Sequence, residues 1–72
     1  MKPKFNLNQP LYFSGCSEKY QSENVFIPTC VELVETTLPT EDGDINLKYY
    51  SYSRDGLSFH PENTLTRTKG SL

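Results

Sequence analysis

Residues 25–59, VFIPTCVELVETTLPTEDGDINLKYYSYSRDGLSF, decide the fold of this 72-residue chain. Two runs rich in β-branched and aromatic residues flank the polar segment 39–44, and a second turn at 53–56 returns the chain into residues 57–59. Residues of these types favour strands, and Asp followed by Gly is typical of hairpin turns. The pattern therefore predicts three consecutive antiparallel strands.

The second of these strands, at 45–53, alternates between two sides. Ile45, Leu47 and Tyr49 share one side, which we expect to face the core. The other side carries a row of aromatic and basic residues that we expect to be solvated, continued by the next turn: Lys48, Tyr50, Tyr52 and Arg54. Tyrosine and arginine concentrate binding energy at interfaces, so this row is the first candidate for a partner-binding surface. Packing of the tyrosines across the sheet is the alternative.

The segment 25–38 fits two structures. Its apolar residues fall on both sides of a strand, which would suit a strongly bent strand that serves two sheets. Thr29 and Glu32 also fit a helix capping box, and apolar residues after them have helical spacing. Four of the seven residues from 31 to 37 are β-branched and would lose rotamer freedom in a helix, so a strand over 31–38 is favoured.

The flanking segments predict shorter elements around this meander. Residues 11–13 follow Pro10 and alternate, which indicates a first strand. The polar segment 14–24 has no period and is predicted to be a loop, pinned to the surface by Tyr20. Residues 60–63 should end the last strand of the meander, with one turn of 3₁₀ helix at 61–63, and 64–66 should form a short final strand. We expect residues 1–9 to be an N-terminal arm and 66–72 a frayed tail.

This order of elements resembles the SH3-like small barrels. The resemblance rests on LYF (11–13), VELVETTL (31–38), INLKYYSY (45–52), LSF (57–59) and PENTL (61–65). It implies an all-β domain, either a five-stranded barrel or a strongly bent antiparallel sheet. The PENTL segment also looks like the closing clasp of SH3-like proteins encoded by phages and other mobile elements. That likeness implies a small inhibitor or modulator of a host protein. The ALYDY-type motif is missing, so binding of proline-rich peptides is not implied.

Size and charge limit the function. Seventy-two residues, of which 35% are apolar, form one small domain without room for a deep catalytic pocket, so we expect a binding protein and not an enzyme. The net charge of −2 and the isoelectric point of about 5.2 disfavour nucleic acid as the partner. A nucleic-acid-associated barrel that uses the aromatic and basic row, with Arg67 and Lys69, is the alternative. Homo-oligomers are compatible with the sequence. No export signal or membrane-spanning run is evident, which predicts a cytoplasmic protein.

Few residues suggest catalysis or metal binding. Cys16, Cys30 and His60 are isolated in the sequence, so we expect neither metal nor cofactor, and two reduced thiols. No nucleophile elbow is present. The remaining candidate is the acidic turn of Glu41, Asp42 and Asp44. It could dock onto a basic protein groove through long-range attraction, or it could simply be a solvated hairpin tip.

Overall fold

The computed structural model describes residues 2–70. Its elements are β1 (Tyr12–Phe13), α1 (Glu18–Glu23), β2 (Cys30–Thr40), β3 (Gly43–Ser53), β4 (His60–Pro61), a 3₁₀ helix (Glu62–Thr64) and β5 (Leu65–Thr66). The strands β2, β3 and β4 form one antiparallel sheet in that order, and β1 pairs with β5 in a second. The all-β class is confirmed, whereas closure into an SH3-like barrel stays a prediction.

A long hairpin dominates the structure. The strands β2 and β3 pair without interruption from Cys30 with Ser53 to Thr40 with Gly43. The choice of a strand for 30–38 is therefore confirmed, and the predicted six-residue insert shrinks to a two-residue turn. Gly43 closes this turn with φ +116°, a conformation that side chains rarely adopt, and the Thr40 hydroxyl donates to its carbonyl.

The buried core is small and collects residues from distant parts of the chain. Its buried hydrophobic members are Phe5, Leu11, Phe26, Tyr52 and Leu65. Phe5 belongs to the predicted N-terminal arm, so this segment supplies part of the core. Backbone hydrogen bonds between Leu11 and Phe26 in both directions hold the entry into β1 against the segment before β2.

The predicted inward and outward sides of β3 are wrong where the strand meets the core. Tyr52 was expected outside but has 0% of its surface exposed, while Ile45 and Leu47, expected inside, are 50% and 37% exposed. The alternation itself is correct. The core touches only the last residues of β3, and there the side that carries Tyr50 and Tyr52 faces inward.

The segment 14–24 is also not the loop that was predicted. It contains α1, whose first turn is capped by the Ser17 hydroxyl accepting from the backbone N–H of Tyr20 at 3.2 Å. The buried residue of this helix is Gln21, whose amide donates to the carbonyl of Phe13 at 2.8 Å and accepts from Gly70 N–H at 3.0 Å. The predicted frayed tail is therefore tied to α1 at Gly70, and Ser71 and Leu72 lie outside the described residues.

Residues 57–59 do not form the third strand of the meander. Leu57 is 86% exposed, so it does not enter the core. The Asp55 carboxylate instead accepts from the backbone N–H groups of Leu57 and Ser58 at 2.8 and 3.0 Å, which holds the segment in a loop. The strand forms later, as His60–Pro61, where the sequence predicted a break. The 3₁₀ turn and the short final strand are confirmed.

Candidate functional site: a projecting hairpin arm

The distal part of the β2–β3 hairpin, residues 34–49, projects from the body of the molecule; we call it the arm. Every residue from 35 to 48 is exposed. The projection makes the molecule long, with extents of 41 × 26 × 22 Å and a radius of gyration of 14.0 Å. A compact domain of this length would have a radius of gyration of about 11 Å. The arm is thus built by local strand pairing and lies outside the core.

One face of the arm is apolar. Residues opposite each other in an antiparallel pair share a face, and three successive pairs form this one. We call it the apolar face: Leu38 with Ile45, Thr36 with Leu47, and Val34 with Tyr49. It contains no charged residue, and Leu38 and Ile45 are 48% and 50% exposed. A two-stranded hairpin is only marginally stable alone in water. Soluble monomeric proteins rarely expose a continuous apolar patch, so an exposed apolar face on this hairpin is unusual.

The opposite face of the arm is polar. Thr37 donates from its hydroxyl to the side-chain oxygen of Asn46 at 3.1 Å, and Lys48 pairs with Glu35 at 3.5 Å. Both ion-pair partners are more than half exposed, so the pair adds little stability. The arm is therefore amphipathic across its thickness.

Charge is unevenly divided between the arm and the body. The arm carries four acidic residues and one basic residue, for a net charge of −3, and the rest of the chain carries five acidic and six basic residues. Three of the acidic residues lie at the tip, where Glu41 and Asp42 form the turn and Asp44 follows it. All three predicted residues of the acidic candidate site are exposed and adjacent.

The two edges of the arm are open. Among residues 2–70, β2 pairs with β3 alone along its whole length, and β3 pairs with β4 only at Ser51 and Tyr52. Beside the open part of β3 lies a groove of about 480 Å³, lined by Leu47, Lys48, Tyr49 and residues 61–63. Open strand edges present unpaired backbone groups to any chain that approaches.

The predicted aromatic and basic row is not assembled as one surface. Tyr52 is buried, Tyr50 is half-buried against the core, Lys48 pairs with Glu35 on the arm, and Arg54 lies in the loop after β3. A tyrosine without exposed surface cannot contact a partner, so Tyr52 leaves the candidate site. The nucleic-acid alternative loses this stacking residue as well.

Tyr52 instead organises a hydrogen-bond network that runs from the core to the surface. Its hydroxyl donates to the Glu62 carboxylate at 2.6 Å and accepts from the backbone N–H of Phe5 at 3.1 Å. The same Glu62 oxygen accepts from Lys4 N–H at 2.9 Å. Burial, and then the hydrogen bond to Glu62, raise the pKa of Tyr52 to about 12. The network joins the N-terminal segment, β3 and the 3₁₀ helix, and its role is structural.

Three basic residues of the body stack on aromatic rings. Lys4 and Arg67 lie 5.5 and 5.1 Å from the ring centre of Phe5, and Lys69 lies 5.9 Å from that of Tyr12. Arg67 also donates to the carbonyl of Lys4. Cation–π contacts of this kind hold the two ends of the chain on the body, so these side chains have an evident structural use.

The residues considered for chemistry are dispersed. His60 lies in β4, with its ring edge-on to Phe13 and Phe26 at 5.1 and 5.0 Å between ring centres. Cys16 and Cys30 are both half-buried free thiols, and Cys30 donates to the carbonyl of Ser53 at 3.5 Å. No group of three or more His, Cys, Asp or Glu residues within 2–70 could hold a metal ion.

The apolar face was missed although its pattern was visible in the sequence. The alternation that placed Ile45, Leu47 and Tyr49 on one side is correct, and Val34, Thr36 and Leu38 have the same spacing in the preceding strand. The overlooked signal is the polar pair Glu32 and Ser51, which continues the apolar face towards the base of the hairpin. A side that faces the core would carry apolar residues there.

Comparison with known proteins found no relative. The chain matches no protein-family model, no curated protein and no solved structure. Within the described residues, no helix is both long and apolar enough to cross a bilayer.

Proposed function

We propose that this protein is a non-enzymatic interaction protein that binds another protein through its arm. The apolar face would form the centre of the interface, and the acidic tip of Glu41, Asp42 and Asp44 would form its rim. The observation that carries the proposal is the exposure of the apolar face on an arm that lies outside the core. A patch of this kind on a small protein is typical of an interaction site.

The charge of the arm specifies the partner further. With a net charge of −3, the arm would be attracted to a surface that surrounds an apolar centre with lysine or arginine. Two copies of the arm would repel each other, so a different protein is favoured over a second copy. The resemblance to SH3-like proteins of mobile elements adds the proposal that the partner is a host protein whose activity is modulated by binding.

Capture of partners by matched variants tests this function. The wild type and the double variant Leu38→Thr/Ile45→Thr would each be immobilised and exposed to lysate of the natural host. A second double variant, Leu7→Thr/Leu57→Thr, also removes two exposed apolar side chains, but outside the arm. We expect a protein that is captured by the wild type and this control and lost with the arm variant. Equal capture by all three would refute the proposal.

A further inference from the structure

We propose that the open edge of β2 binds an extended basic segment of the partner as an additional strand. This inference rests on the proposed function and specifies how the arm binds. Strand addition uses main-chain hydrogen bonds for affinity and alternate side chains for specificity. Three features of β2 support it: the length of the open edge, its charge and the order of its side chains.

The edge is long and continuous. The outer side of β2 runs over eleven residues, Cys30–Thr40, and within residues 2–70 no strand pairs with it. Proteins usually protect such edges by keeping them short or by covering them. Pro39, near the tip, is the only residue of β2 without a backbone N–H. Residues 30–38 all have a backbone N–H, and those of every second residue point, with the carbonyls, away from β3 and are available for a ladder on the open edge.

The charge of the edge selects the occupant. Glu32 and Glu35 lie on β2, which carries no basic residue. If two copies paired through β2, each copy would bring the same two glutamates to the shared edge, where like charges opposite each other are destabilising. Lysine or arginine at those positions would form opposite-charge pairs instead. The complement of β2 is thus a heterologous basic strand.

The order of side chains sets the pattern of that strand. On the side of the apolar face, β2 presents Glu32 and then Val34, Thr36 and Leu38, and on the other side it presents Leu33, Glu35 and Thr37. A partner strand that places lysine opposite both glutamates and valine beside the apolar face has, in the antiparallel direction, the order VTVKVTK. The same strand would extend the apolar face by one row, which joins strand addition to the interface proposed above.

A peptide titration tests the inference directly. The probe is the synthetic peptide VTVKVTK, and its two controls are VTVEVTE and a form of VTVKVTK that is N-methylated at every second residue to remove edge-directed donors. Amide chemical shifts of the full chain would be followed by NMR. We expect VTVKVTK to change the chemical shifts of the β2 amides and to protect these amides from hydrogen exchange. It should bind at least about fivefold more tightly than VTVEVTE, and its N-methylated form should not bind.

A charge exchange within the hairpin provides the matched variant. Glu35→Lys combined with Lys48→Glu keeps an ion pair across the strands and the net charge, but leaves the β2 edge with one lysine and one glutamate, Glu32, in place of two glutamates. We expect this variant to lose most of its preference for VTVKVTK over VTVEVTE. An unchanged preference, equal binding of the three peptides, absence of binding, or a self-association that protects the β2 amides would each overturn the inference.

The outcome is separable from that of the proposed function. The apolar-face variant Leu38→Thr/Ile45→Thr leaves the backbone of the β2 edge intact. If this variant loses partner capture while VTVKVTK does not bind the wild type, the arm binds its partner through the apolar face, and strand addition is wrong. If VTVKVTK binds at β2 as expected, strand addition is supported whatever the capture experiment shows.

Discussion

Replacing Tyr52 with phenylalanine should destabilise the protein strongly, although it removes one oxygen atom. The ring would keep its buried position and its contact with Phe5, whose ring centre lies 5.6 Å away. The change would remove the donor to Glu62 at 2.6 Å and the acceptor for the backbone N–H of Phe5 at 3.1 Å. Glu62 would keep its hydrogen bond from Lys4, whereas the buried N–H of Phe5 would lose its partner.

The magnitude follows from these two losses. A hydrogen bond to a charged group contributes about 1.5–3 kcal/mol, and a buried donor left without a partner costs about 1–3 kcal/mol. The two effects overlap in one network, so we expect the free energy of unfolding to fall by about 2–4 kcal/mol. A single core in a chain this small supplies only about 3–5 kcal/mol. Tyr52→Phe should therefore be close to unfolded at room temperature.

Urea unfolding followed by far-ultraviolet circular dichroism measures this loss. Tyr20→Phe is the matched control, because Tyr20 is 47% exposed and its ring contact with Phe13 would survive the change. The control should stay within about 0.5 kcal/mol of the wild type. If Tyr52→Phe is as stable as Tyr20→Phe, the hydrogen bonds of the Tyr52 hydroxyl do not stabilise the fold, and the reasoning is wrong.

Three further predictions concern titration and the turns. The pKa of Tyr52 is raised from 10.0 to about 12, so the stability that the protonated Tyr52 hydroxyl contributes should be fully present below pH 10. The free energy of unfolding should then fall by about 2–3 kcal/mol as the pH rises through 12, which urea unfolding across this range would measure. Hydrogen bonds from Ser58, Leu57 and Ser53 lower the pKa of Asp55 from 3.8 to about 2, so this carboxylate stabilises the loop above pH 4 and stops doing so as the pH falls through 2. Asp55→Asn should flatten that acid dependence in thermal unfolding. Gly43→Ala should lower the melting temperature through a cost of about 1 kcal/mol, because φ is +116° there while no atom lies within 4 Å of the new methyl group; an unchanged melting temperature would contradict this.

The long β2–β3 hairpin could be predicted because its signals are local. The β-branched residues from 31 to 37, the alternation from 45 to 53 and the turn glycine at 43 each act through near neighbours, and together they determine the hairpin. The 3₁₀ turn after Pro61 has the same local origin, since proline is preset for the start of a helix.

The inward side of β3 could not be predicted because it depends on distant residues. Tyr52 is buried since Glu62, ten positions away, and Phe5, 47 positions away, satisfy its hydroxyl. Alternation states which residues share a side of a strand, but it does not state how far along the strand the core extends. Here the core covers only one end of β3, and the long apolar alternation belongs to the arm.

The helix α1 was missed because its buried position is polar. Hydrophobic periodicity cannot detect Gln21, whose burial depends on the carbonyl of Phe13 and the N–H of Gly70. The local signal that was present is Ser17 followed by Glu18, a capping residue and an acidic first turn. The loop at 54–59 was misassigned for a related reason, since the Asp55 side chain replaces strand pairing with bonds to the following backbone.

One measurement tests most directly whether the apolar face is a binding surface and not part of the folding core. It compares the free energy of unfolding of Leu38→Thr/Ile45→Thr with that of Leu65→Ala. Leu65 is a buried core residue, and its truncation should cost about 2–5 kcal/mol. The arm variant removes one cross-strand pair of half-exposed side chains and puts a β-branched threonine at both positions, so it should cost less than about 1 kcal/mol. If the arm variant instead loses as much stability as Leu65→Ala, the apolar face belongs to the folding core, and the proposed binding function loses its main support.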